Sequence, residues 1–288
     1  MIEKAHEIAP DLSIEQLCHL LAVSRSWYYE QKGKPGVDEE ETALRDRIEE
    51  IILEFSGYGY RRVTHTLHRE GMQVNRKRVL RIMQEESLLC RIKKSFVIKT
   101  TNSRHRFPIY PNLLAGLQLT APDQAWVSDF TYIRLRGAFV YLACILDAFS
   151  RRCVGWYLSR DMTTQLTLMA LRRAIHERHP QPGLIHHSDR GMQYASYDYI
   201  EQLQQIEAQV SMSSVSDPYD NAKAESFFKT LKQEEVYLKE YHSFEDAEAN
   251  LDEFLEQVYN MKRLHSSLGY VPPVEFEEAY ASFVYTKR

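Results

Sequence analysis

The sequence predicts an α/β fold, a mixed five-stranded sheet flanked by helices and preceded by small all-α segments. Three observations predict it. Between Gln124 and Ser159 the chain carries three consecutive β-rich runs separated only by turn residues. Beyond them, helical periodicity alternates with short apolar strands. Upstream of residue 120 the apolar spacing is helical.

The bulk properties set limits. A chain of 288 residues with 44% hydrophobic and 26% charged residues is an ordinary globular composition, long enough for a large domain with smaller appendages. No apolar run approaches the roughly 18 residues a membrane span needs, and no signal-peptide pattern opens the chain. Cys18, Cys90, Cys144 and Cys153 are scattered, with no CxxC pair and no Cys/His ligand spacing. They read as free thiols in a reducing compartment rather than as a zinc site. The expected location is the cytoplasm.

Net charge of −4 hides an asymmetry. Residues 57–106 carry 13 Lys/Arg against 3 Asp/Glu, leaving 23 against 37 for the rest. That division suggests a nucleic-acid-facing module joined to an acidic body. Five segments are expected: a helix-turn-helix-like segment over 1–34, a basic helix-turn-helix domain over 38–90, a basic connector over 91–120, a catalytic core over 121–240 and a helical extension over 241–288.

Residues 13–31 predict two short helices around a turn. Ser13 and Gln16 have capping-box spacing, Leu17, Leu20 and Leu21 supply an apolar stripe, and Ser24 caps the second helix. A helix-turn-helix and a plain helical hairpin fit this pattern equally. Pro35, Gly36 and an acidic run interrupt it, and an amphipathic helix follows over 39–55 through Leu44, Ile48, Ile51, Ile52 and Phe55. Next, Val63 and Leu67 mark the inner face of a helix that Gly71 stops. Asn75 caps another, with Val79, Ile82 and Met83 inward. Arg76, Lys77, Arg78 and Arg81 gather at its start, where positive charge opposes the helix dipole. Contact with DNA by a recognition helix accounts for them, a solvated basic face being the bland alternative. The stretch RIKKSFVIKTTNSRHR, with Lys93 and Lys94, reads as a connector lying along a DNA backbone.

In the acidic body, WVSDFTYIRL, AFVYLACILDAF and SRRCVGWYLS predict an antiparallel meander turning at Gly137 and Ser150. Helix over 162–178, strand LIHHS, helix over 197–206, strand AQVSMSS and helices over 219–238 and 244–263 complete the order. That order is the one seen in ribonuclease-H-like folds. In such a sheet the first and fourth strands lie side by side, so Asp129 on the first and Asp189 just past the fourth can face one divalent pair. Glu225 must arrive from a helix. Asn221, Glu225 and Lys229 share a face of it, with Lys232 nearby.

The chemistry asks for these residue types. Phosphodiester attack needs a deprotonated oxygen nucleophile and charge stabilisation on the leaving oxygen, and two Mg²⁺ ions held by carboxylates supply both. Asp147 reads as holding the turn at Ser150–Arg151, with a supporting role at the site left open. His186 and His187 either bond near Asp189 or simply pack at the strand end.

The series WVSDFTYI, LDAFSRRCVGWYLS, LIHHSDRGMQY, DPYDNAKAESFFKTLKQE and YNMKRLHSSLGYVPP resembles the integrase-core transposases of the IS3 family of bacterial insertion sequences, over roughly residues 40–280. YGYRRV and VNRKRV resemble that family's helix-turn-helix region and add Arg61 and Arg62 to the candidate DNA contacts. The resemblance implies Asp129, Asp189 and Glu225 as the catalytic and metal-binding triad, two Mg²⁺ ions with Mn²⁺ as a substitute, cleavage at the element's ends and strand transfer by the 3′-hydroxyl. It implies double-stranded DNA as partner, both element terminal repeats and target. An assembly of at least a dimer on DNA is expected, with an upstream-frame helix-turn-helix product as an optional partner and no membrane. Arg263 and His265 would reach phosphate, and Tyr259 would pack. The resemblance also implies that such chains are often made as a frameshift fusion with that upstream product; because this one begins at Met1 without sustained heptads, it is expected to be the catalytic half alone.

Two departures stand out. Ser214, Val215 and Ser216 replace an expected basic, glycine-containing stretch, and Met192 replaces a small polar residue. Both bear on DNA grip rather than on chemistry. Two other readings compete: a non-catalytic DNA-binding regulator, which would gain nothing from carboxylates facing phosphate, and an integrase-type nuclease.

Overall fold

The computed structural model describes residues 2, 5–6, 9–32, 39–90, 107–214 and 222–286. Lys93, Lys94, Val215, Ser216 and Asn221 therefore lie outside the described residues. The chain forms two compact units, Met1–Ile51 and Ile52–Arg288.

In the first unit α1 (Ile14–Leu20) and α2 (Arg25–Lys32) make the expected pair. The Gln16 N–H donates to Ser13 Oγ and the Ser13 N–H to Gln16 Oε1, closing the capping box. The Trp27 N–H donates to Ser24 Oγ at the start of α2. The apolar stripe differs from the expectation. Leu17 and Cys18 are buried with Ile2 and Tyr28, whereas Leu20 is 68% exposed and Leu21 38%. At about 100° per residue, a face centred on Leu17 and Cys18 leaves Leu20 pointing away. Helix α3 (Glu39–Glu54) buries Leu44, Ile48 and Ile51.

The second unit begins in the last turn of α3, and its first complete helices are α4 (Tyr60–Arg69) and α5 (Arg76–Glu85). Val63, Leu67, Val79, Ile82 and Met83 are wholly buried between them, as their spacing predicts. Gly71 follows α4 at φ 89°, a conformation glycine adopts without penalty. The Asn75 side chain accepts the Lys77 N–H. This pair packs on the C-terminal part of the chain. The Leu264 N–H donates to the Tyr58 hydroxyl at 2.7 Å, His65 stacks on Tyr270 at 3.7 Å, and Arg69 forks onto Glu275 at 3.0 and 2.6 Å.

The sheet comprises β1 (Ala125–Leu135), β2 (Ala138–Asp147), β3 (Cys153–Ser159), β4 (Ile185–Ser188) and β5 (Gln209–Met212), in the order β3-β2-β1-β4-β5. The first three are antiparallel, and β4 and β5 join β1 in parallel. This mixed five-stranded sheet flanked by helices is a ribonuclease-H-like arrangement. On one face α6 (Thr164–Arg178) and α7 (Tyr197–Gln205) cover Trp126, Phe130, Ala143, Ile145 and Val154. On the other, α8 (Ala222–Leu231) and α9 (Phe244–Asp252) cover Val127, Ile133, Leu142, Cys144 and Trp156. Alternation along β1 thus sends Asp129 to the α8 side, with Val127 and Ile133.

Both α8 and α9 run on into wider π-helical turns, over Lys232–Val236 and Glu253–Tyr259, so the long helices expected there are interrupted. A last helix, α10 (Pro273–Thr286), closes the chain. No helix among the described residues is long and apolar enough to cross a membrane.

Candidate active site

The β1–β4 ladder sets the first two acids. Its last pair is Ser128 with Ser188, and Asp129 and Asp189 each follow by one residue. Neighbouring parallel strands lie about 4.8 Å apart, so Asp129 on the α8 side of β1 has Asp189 close by, near enough to raise its pKa. The Phe130 N–H donates to Asp129 Oδ1 at 2.8 Å, and the Gly191 N–H donates to Asp189 Oδ1 at 2.9 Å. A Cβ on Gly191 would stand 2.9 Å from that same oxygen, so the close approach requires glycine.

Glu225 lies exposed in the first turn of α8. It is near enough to act on Asp129, whose carboxyl is pushed up to about 8. Burial is the main cause, with Asp189 and then Glu225 adding to it, against the Phe130 N–H and Lys232. Three like charges thus converge at one end of the sheet. Among the described residues no three His, Cys, Asp or Glu side chains stand close enough to form a ready metal centre. The all-oxygen donor set and the mutual repulsion nonetheless fit a hard divalent cation.

Lys232 reaches the same place, its ammonium 4.4 Å from the Tyr132 ring centroid. Its pKa is lowered by burial against the opposing pull of Asp129. Lys229 is exposed one turn beyond Glu225. Asp147 holds its turn, accepting from the Asp123, Phe149 and Ser150 N–H groups and from Ser150 Oγ. His186 bonds the Tyr199 hydroxyl at 3.0 Å. His187 bonds Ser211 and Ser213 at 2.8 and 3.2 Å. Both rings are buried and tie the sheet to its neighbours.

The expected DNA contacts divide. Arg61, Arg76, Lys77 and Arg81 are exposed, Arg78 is half-buried, and Arg81 pairs with Glu85 at 2.9 Å. Arg62 turns inward, 3.7 Å from Glu234 and over the Tyr58 ring. Arg263 and His265 correct the expectation of open phosphate contacts. Arg263 is 2% exposed and forks onto Glu234 at 2.6 Å through both Nε and Nη2. His265 is buried, and its pKa is driven down to about 2 by that burial and by Arg263 and Arg62. The reason is local packing: Glu234 takes two Arg263 donors, and the Tyr259 ring and Arg263 close on the His265 ring. Tyr259 packs as expected, its hydroxyl donating to the Arg151 carbonyl at 3.1 Å.

Sequence reading missed Gly191, Arg151 and Lys223. Gly191 was legible only as a glycine two residues past an acid. Lys223 was overlooked because it falls on the side of α8 away from Glu225. Arg151 was read only as part of a turn.

Three stretches of the chain match family models: Integrase core domain over residues 120–218, HTH-like domain over 39–96, and again Integrase core domain over 206–273. The insertion element IS600 uncharacterized 31 kDa protein of Shigella sonnei is 38% identical over 92% of this chain and 98% of that protein. The transposase for insertion sequence element IS904 of Lactococcus lactis is 38% identical over 83% of this chain and 95% of that one. Transposase InsF for insertion sequence IS3A of Escherichia coli is 33% identical over 93% and 94%.

Proposed function

The chain belongs to the IS3 family of insertion-sequence transposases, and we propose that it cuts its element's ends and joins the freed 3′-hydroxyls to target DNA. In this reading Asp129, Asp189 and Glu225 are the catalytic acids. The observation that carries it is the register of Asp129 with Asp189, with Glu225 close enough to raise the Asp129 pKa. Clustered carboxylates that face DNA repel it unless cations intervene. A pure binder has no use for them.

The three acids would hold two Mg²⁺ ions, or Mn²⁺ in their place. Bound there, such ions activate the attacking oxygen and neutralise charge on the departing one. The chain's own residues do the positioning. The Phe130 and Gly191 N–H groups fix one oxygen each of Asp129 and Asp189, which limits how far either carboxylate can swing. Lys232 sets a cation beside Asp129, and Lys229 extends that charge along α8 toward the DNA backbone. Arg76, Lys77, Arg78 and Arg81 on α5, with Arg61, grip the duplex. Since two ends must be brought together, the working form on DNA is at least a dimer. The product of an upstream reading frame is a further candidate partner.

The test is end cleavage and strand joining on labelled duplexes from the element's termini, comparing the natural chain with Glu225→Gln, with and without Mg²⁺. Metal-dependent joining that the variant loses is the expected result. Cleavage without joining would favour a nuclease. Binding without either activity would favour a regulator, or a chain that needs its upstream partner, and adding that product separates the two.

A further inference from the structure

A cleft of about 210 Å³ opens on the flank of α8 away from Glu225. Four parts of the fold wall it. Helix α4 gives Arg62, the β2–β3 turn gives Arg151, α8 gives Lys223, Ser226 and Thr230, and the segment after Tyr259 gives Arg263. On a helix wheel, Lys223, Ser226 and Thr230 fall about 100–160° from Glu225. One helix therefore shows its acid to the catalytic carboxylates and its hydroxyls and a lysine to this cleft.

The charges do not balance. Four cations line the cleft, and among the described residues Glu234 is the one carboxylate within ion-pair distance of any of them. Arg263 already occupies both Glu234 oxygens. Arg151 is half-buried with no carboxylate partner among the described residues, yet its backbone is fixed twice: its N–H donates to the Asp147 carbonyl, and its own carbonyl accepts the Tyr259 hydroxyl. Lys223 Nζ spends one N–H on the Ala148 carbonyl at 2.9 Å and keeps two. Burial, with Arg151 adding to it, lowers the Lys223 pKa, and burial lowers that of Arg151. Holding unpaired cations together in this way is unfavourable in the free protein, and an anion removes the cost.

We propose that the cleft is a phosphate-binding site that seats a backbone phosphodiester of DNA, with Arg151 and Lys223 as its principal ligands and the Ser226 and Thr230 hydroxyls as further donors. Guanidinium forks and hydroxyls match phosphate oxygens. The choice of DNA as the source of the phosphate rests on the function proposed above, but the cleft itself does not. Seated there, a strand is anchored on the same short helix that carries Glu225, so its position is fixed relative to that acid.

Two measurements on the full chain test this. The first is thermal unfolding in inorganic phosphate against chloride at equal ionic strength. The natural chain should gain melting temperature in phosphate. Arg151→Gln should lose that gain while melting no lower in chloride, because it removes a repulsion, and Arg151→Lys should keep part of the gain. The second is the salt dependence of binding to a duplex of arbitrary sequence. The slope of log K against log salt should shrink by about 1 in Arg151→Gln and about 2 in Arg151→Gln/Lys223→Gln. An equal phosphate response in all variants overturns the site. Loss of the phosphate response with an unchanged DNA slope overturns the assignment to DNA in favour of a free phosphate. Should the slope shrink while the natural chain neither cuts nor joins even with the upstream product added, the cleft stands and the function proposed above falls.

Discussion

Asp129 and Asp189 occupy equivalent places in the parallel ladder, each one residue beyond the terminal Ser128–Ser188 pair of β1 and β4. Their carboxylates meet because of backbone register rather than through long flexible side chains. Rigid strands hold functional groups more closely than loops do, so the cost of the juxtaposition is electrostatic.

That cost is measurable. The Asp129 carboxyl sits at about 8 in the folded chain against an ordinary 3.8. A raised carboxyl favours folding at low pH, and that contribution fades as pH rises from about 4 to about 8. In chelator at pH 7, Asp129→Asn should therefore be more stable than the natural chain by about 1–3 kcal/mol. It should also lose any stabilisation by added Mg²⁺. Urea unfolding with EDTA or Mg²⁺ checks both, and a destabilised Asn variant would sink the idea of a strained carboxylate cluster.

Gly191 offers an independent probe of the second acid. A methyl group there would stand 2.9 Å from Asp189 Oδ1 and 3.3 Å from Gln193 Oε1, so the carboxylate must turn away. Misplacement of about 1 Å costs on the order of 100-fold in rate. Gly191→Ala should lose joining activity to about that extent while its melting temperature moves by only a few degrees. Unchanged joining would show that Asp189 orientation is not set by this turn.

How much of this was legible in the sequence follows from what each feature depends on. The strands and the caps at Ser13 and Asn75 are local, governed by side-chain alternation and nearby hydrogen bonds, and they appear where the sequence puts them. Arg263 depends on a tertiary partner, Glu234, 29 positions away, so a basic residue that reads as a DNA contact is a buried ion-pair partner instead. Arg151 and Lys223 meet only once the β2–β3 turn and α8 are folded together, which no spacing rule reveals. The interruptions of α8 and α9 by π turns lack any local marker such as proline or glycine.

Besides Glu275, a second carboxylate anchors the C-terminal helix. Glu277 accepts from Arg178 at 2.8 and 3.1 Å and from Arg152 at 2.9 Å, and shares the one Ser150 hydroxyl hydrogen with Asp147, its own oxygen 2.7 Å from Ser150 Oγ. These partners keep its pKa below the usual 4.5 despite the opposing effect of burial. A lowered carboxyl stabilises above its unfolded pKa and loses that contribution as pH falls through the folded one. Glu277→Ala should cost about 2–4 kcal/mol at pH 7, because it strands the Arg152 guanidinium and removes one of two partners from Arg178. The gap from the natural chain should narrow below about pH 4.5. Denaturant titrations at pH 7 and pH 4 decide it, and an equal loss at both would point to packing instead.

Two buried imidazoles predict acid sensitivity over a different window. Burial, with His187 adding to it, holds His186 down to about 3, and His265 sits at about 2. Each is neutral in the fold, while the unfolded chain takes up a proton below about 6.5. Stability therefore falls as pH drops from about 6.5, by roughly 1.4 kcal/mol per residue per pH unit. The measurement belongs in Asp129→Asn, where the opposing contribution of that carboxyl is gone. Unfolding free energy should drop by about 2–3 kcal/mol between pH 7.5 and 5.5, and replacing His186 with Phe should roughly halve the slope. A flat profile would mean that these rings find water or a carboxylate on protonation.

The basic start of α5 poses the last question, since exposure alone does not make a DNA contact. Arg76 and Lys77 are exposed at the end of the helix where positive charge is disfavoured, and the Asn75 cap already serves the Lys77 N–H. Their removal should therefore not weaken the helix. Arg76→Gln/Lys77→Gln should keep or slightly raise the melting temperature, yet weaken duplex binding at low salt and shrink the salt slope by about 2. Arg81 is a built-in contrast, because its guanidinium is engaged by Glu85 at 2.9 Å. Arg81→Gln frees that carboxylate to repel phosphate, so its affinity loss should exceed what one lost contact explains, and Arg81→Gln/Glu85→Gln should recover part of it. Absence of that recovery would place α5 away from the DNA backbone and leave its charges as a solvated face.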